Sequence, residues 1–394
     1  MNKNKKITLS LLTTAILAAP TAFADNSIAS GITEALADSK INLSFRARYE
    51  GVDQDRAAQD DRADALTIKS RITIKTGSYS NFSLGLEIDN VSALIDDYNS
   101  KTNGQTQYPV IADPTSTDVN QGFIKYDNNG FSTIVGRQRI LHNNQRFVGG
   151  VGWRQNEQTY DGIRAQYKAG ALSVDYSYIH NINGITGGNS SGDFHLANLG
   201  YKVNKNHKIS AFAYILDFDA GAANSSSTYG ALYNGKFGAV VVNASAASQT
   251  DNGDNPNSYT ATYLNAEVGS KFGGVIVLGG YELLGSDNGV GFNTPLATKH
   301  KFQGWADKFL GTPKNGIQDI YLTVKGAVSG VKLSATYHKL TSDVNSIDYG
   351  NELDLVANYK INKKYAVLVK FANYSADDYL TDTNKLWLQA TAKF

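Results

Sequence analysis

The sequence contains no cysteine, only six prolines, one methionine and one long apolar run. Without cysteine there is neither a disulfide framework nor a thiolate metal site. Few prolines, with 37 glycines spread evenly through 394 residues, leave no linker at which to divide the chain. The apolar run, residues 7–19, is shorter than the roughly 20 residues a helical membrane span needs. Charge of one sign is not in excess either: 37 Lys and Arg stand against 36 Asp and Glu. That balance gives no footing for nucleic acid as a partner. After residue 41 no stretch has a convincing 3.6-residue period, so a helical bundle is excluded as well.

What is present begins with a basic start (Lys3, Lys5, Lys6), the apolar run, and the small-x-small triplet Ala22-Phe23-Ala24. This order predicts a secretory signal peptide over residues 1–24. Removing its three lysines from the 37 basic residues leaves 34 against 36 acidic ones, a net charge of −2. Residues 25–40 are expected to form a short periplasmic segment, and residues 41–394 the folded body.

The body alternates with period two. In INLSFRARYE, Ile41, Leu43, Phe45, Ala47 and Tyr49 share one face, and Asn42, Ser44, Arg46, Arg48 and Glu50 the other. Marking such segments gives about eighteen strands, each near the 9–11 residues of a tilted membrane strand. The connections alternate too. Tight turns such as Asp127-Asn128-Asn129-Gly130, Ala169-Gly170, Asn234-Gly235 and Ser329-Gly330 follow even-numbered strands, and longer loops, above all 90–118, 139–158 and 284–316, follow odd-numbered ones. This beat predicts an all-β transmembrane antiparallel barrel with short periplasmic turns and long extracellular loops, in the bacterial outer membrane. It also explains a mean hydropathy of only −0.32, because lipid meets alternate residues alone. The last segment, NKLWLQATAKF, puts Leu386, Leu388, Ala390, Ala392 and Phe394 on one face. It resembles the terminal strand by which outer-membrane barrels engage their assembly machinery.

Strand parity turns Arg46, Arg48, Lys69, Arg71, Lys125, Arg164, Lys168, Lys202, Lys325 and Lys332 into the lumen, with Glu87, Asp89, Asp175, Glu267, Asp319, Glu352 and Asp354. Residues 135–155, VGRQRILHNNQRFVGGVGWRQ, hold Arg137, Arg139, Arg146 and Arg154 and no acid. Arginine offers a planar fork suited to carboxylate or phosphate. These residues, with Lys69, are therefore candidates for a pore-lining, anion-binding wall. Parity of the fifth strand is ambiguous, and an outward Ile134 turns Arg137 and Arg139 inward. Loop 284–316, with Phe302, Trp305, Asp307, Lys308 and Phe309, is long enough to fold inward as a constriction.

Residues 135–167 (VGRQRI, NQRFVGGVGWRQNEQ and TYDGIRAQY) resemble the alginate export family of outer-membrane barrels, as does HKFQGWADKFLGTPKNGIQDIYL at 300–322. The resemblance implies an 18-stranded barrel with an arginine-rich, anion-selective pore for a polyuronate. It carries over Arg137, Arg139, Arg146, Arg154, Asp161 and Arg164. Smaller anionic or polar solutes fit the same reading. The alternative is a surface-binding or adhesion barrel with an occluded lumen. Expected partners are outer-membrane lipid and lipopolysaccharide, an anionic or saccharide solute, and the assembly machinery at the Phe394 strand. No cofactor, metal or enzymatic activity is expected. Gly188-Asn189-Ser190-Ser191-Gly192 matches a nucleophile-elbow pattern but lacks the strand–turn–helix setting.

Overall fold

The computed structural model describes residues 26–55 and 60–394, and the expected signal peptide lies outside them. Eighteen antiparallel strands form one sheet. Strands β1 to β6 are Lys40–Gln54, Arg62–Lys75, Phe82–Asp97, Ser116–Asn128, Phe131–Gln138 and Thr159–Ala169. Strands β7 to β12 are Leu172–Asn183, Asn189–Lys202, His207–Phe218, Ser226–Phe237, Val240–Asp251 and Thr260–Phe272. Strands β13 to β18 are Val275–Leu284, Ile317–Val328, Val331–Thr341, Asp348–Lys360, Tyr365–Ser375 and Thr383–Lys393. Each pairs with its chain neighbour, and β18 returns to β1 from Ser44 opposite Lys393 to Gln54 opposite Thr383. Closure leaves no edge strand, which is what a sheet surrounded by lipid requires.

The outward faces are apolar: Ile41, Val268, Phe272 and Ile320 are each more than half exposed. In water such a surface would be an aggregation hazard; against lipid it is the stable arrangement. The inward faces are polar at the short-turn end. At the long-loop end they are covered by the loops themselves. Residues 139–158 and 284–316 turn into the barrel, where Ile140, Val148, Phe292 and Leu296 bury against inward-facing Phe212, Tyr214, Tyr263 and Leu284.

The short turns owe their geometry to residues that tolerate positive φ. Asn129 and Gly130, at 48° and 84°, give the double-positive turn that matches strand twist. One expected turn lies elsewhere. Asn234-Gly235 stays inside β10, and the chain reverses at Gly238, with φ 62°, between paired Phe237 and Val240. The alanine- and serine-rich sequence there alternates too weakly to mark its own end, and pairing with β9 and β12 sets the register instead. Strand β8 starts at Asn189, so Ser190 lies in a strand and not at an elbow.

Before the barrel stands a helix, Asn26–Ala37, within the segment expected to be periplasmic. It lies against the first short turn, where the Gly77 amide donates to the Ala35 carbonyl at 2.8 Å. A side chain at Gly31 would begin 2.2 Å from the Tyr79 ring, so glycine permits this close approach.

Candidate functional site: a stapled lumen between two basic mouths

Most of the arginines singled out by sequence lie against carboxylates. Arg71 grips Asp89 with two bonds of 2.6 Å and reaches Glu157 at 2.8 Å. Lys69 lies 3.0 Å from Asp89 and 3.4 Å from Glu157. Arg139 bonds both Glu87 and Glu157. Arg164 holds Asp175 at 2.5 Å, and Arg146 holds Glu282 at 2.8 Å. Arg154 bridges Glu50 at 2.9 Å and Asp307 at 3.1 Å. Arg48 reaches Asp113 at 3.8 Å, bonds Gln389 and lies 4.0 Å above the Trp153 ring. Arg46 differs, bonding only neutral oxygens of loop 139–158: Gln155 Oε1 at 2.8 Å, the Gly152 carbonyl at 3.0 Å and the Arg154 carbonyl.

Together these contacts fasten loop 139–158 to the wall of β1, β2 and β3. Burial alone would make each charge costly, so each needs its partner. Glu157, on the loop, is the hub: burial opposes its ionisation, yet Lys69, Arg139 and Arg71 hold its carboxyl well below the usual range.

Arg137 sits apart. Ile134 pairs with inward Arg164, so Val135, half exposed, faces lipid; beyond Gly136, at φ 118°, Arg137 lines a small cleft with Asp89, Asn156 and Glu157. Its guanidinium holds Asp161 at 2.8 Å and caps the Val119 carbonyl at 3.1 Å. Asn181 and Asn183 complete the shell of Asp161.

Above the staples lies an outward-opening cavity of about 610 Å³. Lys101, Lys299, Lys308, Lys385 and Arg154 line it with a single acid, Asp307; Pro109, Val110, Pro295, Leu310 and Leu380 supply apolar wall. Burial, then Arg146 and Lys101, lowers the Lys299 ammonium to about 8. Burial and Lys385 do the same to Lys308, to about 8. Of the five residues named for the constriction, Asp307 and Lys308 line this cavity, and Phe309 packs on Tyr349 and Tyr374. Phe302 packs under Arg146 at 4.7 Å, and Trp305 turns down to Lys370.

Below Asp307 the polar chain continues. Burial pushes the His300 imidazole down to about 3, so it is neutral. Its Nδ1–H then donates to Asp307 at 2.6 Å, and its Nε2 accepts from Lys370 at 2.6 Å. Burial opposes ionisation of Asp307, but His300, Lys385 and Arg154 hold its carboxyl well below the usual range. All three tryptophans of the chain surround the Lys370 ammonium: Trp305 at 3.7 Å, Trp153 at 4.1 Å and Trp387 at 5.1 Å. Cation–π attraction of this kind strengthens once the charge is desolvated.

The short-turn mouth is basic in a different way. Lys40 faces Lys75, Lys202 faces Lys208, and Lys271 and Lys325 flank Ile276. Lys125, Lys168, Lys236, Lys332, Lys360 and Lys393 continue the ring on inward positions of other strands. Most are exposed, and Lys125 has a partner, Asp127, at 2.6 Å.

Residues 38–180 match the model of the alginate export family. The match includes residues 135–167, where the resemblance was read, and spans every arginine and lysine of the predicted wall from Arg46 to Arg164. Among solved structures, OpdK of Pseudomonas aeruginosa with vanillate is similar at a TM-score of 0.73 and 12% identity, covering 91% of this chain and 99% of that one. OccK3 (OpdO) of the same organism gives 0.70 at 13% identity, over 94% and 99%. OccK9 (OpdG) gives 0.70 at 16%, over 91% and 100%. At these identities the likeness is one of fold. No curated protein matches the chain. The architecture is the closed β-barrel of these Pseudomonas outer-membrane proteins.

Sequence reasoning left Glu157, Lys370, Lys385 and Trp387 without a role. Their signal was parity: Lys370, Lys385 and Trp387 all occupy inward positions beside inward neighbours. Glu157 sits inside the family-like segment, three residues after Arg154.

Proposed function

We propose that the protein carries small organic anions across the outer membrane: carboxylates borne on a partly apolar body, captured first in the outward cavity. The observation that carries this reading is the cavity lining, four lysines and an arginine around one acid, with proline and leucine walls. A volume of about 610 Å³ suits a small molecule rather than a length of polymer. The filled lumen beneath it argues in the same direction, against a polyuronate. A related barrel was solved with vanillate, an organic carboxylate of that size class. Several weak cationic contacts in series would let such a solute enter without being trapped.

Liposome swelling tests this. Vanillate should enter faster than a neutral sugar of similar size, and a polyuronate should not enter. Equal rates for vanillate and the neutral sugar would sink the reading. The filled lumen also supports a second reading, a surface-binding barrel that conducts nothing. Absence of any swelling or single-channel current would favour it.

A further inference from the structure

The lysine ring at the short-turn mouth is not explained by the outward cavity, which lies at the other end of the lumen. We infer that this ring, and not the arginine belt, sets the anion preference of the channel and makes its conductance asymmetric; the inference rests on the channel reading above.

Four observations carry it. The ring faces water and not lipid, because the outward neighbours at the same height are apolar: Ile41, Tyr201, Ile209, Phe272 and Tyr359 are all exposed on the other face. A role in gripping lipid head groups is therefore excluded by parity. Second, the ring is arranged at a cost. Lys40 opposite Lys75 and Lys202 opposite Lys208 are like charges directly across a strand pair, an arrangement that weakens a sheet.

Third, most of its charge has no acidic partner among the described residues. Lys125 has Asp127, but Lys202, Lys271, Lys325 and Lys360 stand exposed on the mouth. The belt arginines instead spend their charge on Asp89, Glu157, Glu87, Asp175, Glu282 and Glu50. A paired charge contributes little field beyond its partner, whereas unpaired ammoniums around one opening add up. Fourth, the residue type suits passage. Lysine presents a hydrated, mobile point charge that an anion leaves easily, without the fixed fork of arginine.

The asymmetry follows from the opposite rim, where exposed Asp96, Asp97, Asp219, Asp254 and Asp378 offset the lysines of the outward cavity. A passage more basic at one mouth than at the other rectifies, because the two mouths enrich anions unequally. At about 0.1 M salt the screening length is about 10 Å, long enough for the ring's field to span much of its opening; at about 1 M it is roughly 3 Å and the effect fades.

The test uses the intact protein inserted in one orientation in a planar bilayer. A membrane-impermeant acetylating ester is added to the short-turn chamber only. It converts lysine ammoniums to neutral amides and leaves arginine charged. The ring predicts a fall of roughly threefold or more in the chloride-to-potassium permeability ratio in dilute salt, with loss of rectification. A sixfold variant, K202Q/K208Q/K271Q/K325Q/K332Q/K360Q, should reproduce the change without chemistry. Heat-modifiable migration on a gel shows whether that variant is folded, and the acetylated wild type stands if it is not. Anion preference that survives acetylation unchanged overturns the ring. A wild-type channel with no anion preference overturns the channel reading on which the ring depends.

Discussion

Two basic regions of this barrel carry the same sign of charge and do opposite things with it. The belt within residues 38–180 uses arginine, buried, forked onto carboxylates, and stapling a loop into the lumen. The ring at the short-turn mouth uses lysine, exposed and mostly without acids. The difference teaches that counting basic residues on inward faces does not locate a pore's field. What matters is how much charge is left after the carboxylates on those same faces have been paired. Sequence motif draws attention to the arginines, and pairing takes most of their charge away.

The comparison breaks hardest at Glu157. Replacing it with alanine strands Lys69, Arg71 and Arg139 without their shared acid. Loss of about 3–5 kcal/mol in unfolding stability is expected, as for other half-removed buried ion pairs. Thermal unfolding in detergent, with protease cleavage in loop 139–158, measures it. The same hub gives a pH dependence. Glu157 is held below its ordinary value in the folded state, so its contribution is present at neutral pH and is lost as pH falls below about 4. An acid unfolding curve that is unchanged in Glu157→Gln would remove the hub from the account.

Asp307 sharpens the picture at the outward cavity. Asp307→Asn leaves Arg154 and Lys385 seeking an anion, so vanillate should bind about tenfold more tightly, or about 1.4 kcal/mol. Titration calorimetry reads this directly, and weaker binding would show that Asp307 organises the site. A smaller effect comes from pH. Lys299 and Lys308 have ammoniums lowered to about 8, so they are charged at pH 7 and largely neutral at pH 9. Vanillate affinity should therefore drop roughly threefold across that interval, well before ordinary lysines near 10.4 titrate. Flat affinity between pH 7 and 9 would place binding elsewhere. The smallest effect belongs to Arg137→Ala. Its charge is already paired with Asp161, and a partly exposed pair is worth about 1 kcal/mol or less, so selectivity should not change. A shift in reversal potential would return Arg137 to the pore.

Much of the architecture was legible because a barrel writes itself as alternation and as the short–long rhythm of its connections. That is why the alternating segments INLSFRARYE and NKLWLQATAKF lie within the first and last strands, Lys40–Gln54 and Thr383–Lys393, but for the final Phe394. Legibility failed where the cause was not local. The reversal at Gly238 is set by neighbouring strands, and the extra lengths of β1 and β3 by pairing above the membrane with β2. The site was legible by residue type and not by role. Parity placed Arg71 and Arg164 inside with Asp89 and Asp175, but it could not say that each pair is in contact. Nor could it bring Trp153, Trp305 and Trp387 around Lys370, since those four residues come from two loops and two strands.

The central claim is that pairing silences the belt while the ring stays active, and matched double variants test it most directly. Arg164→Gln with Asp175→Asn removes one neutral pair from the belt. Lys202→Gln with Lys208→Gln removes two free charges from the ring. Reversal potentials under a dilute potassium chloride gradient should stay at the wild-type value for the first and move toward cation preference for the second. A shift in the first with none in the second would contradict the account.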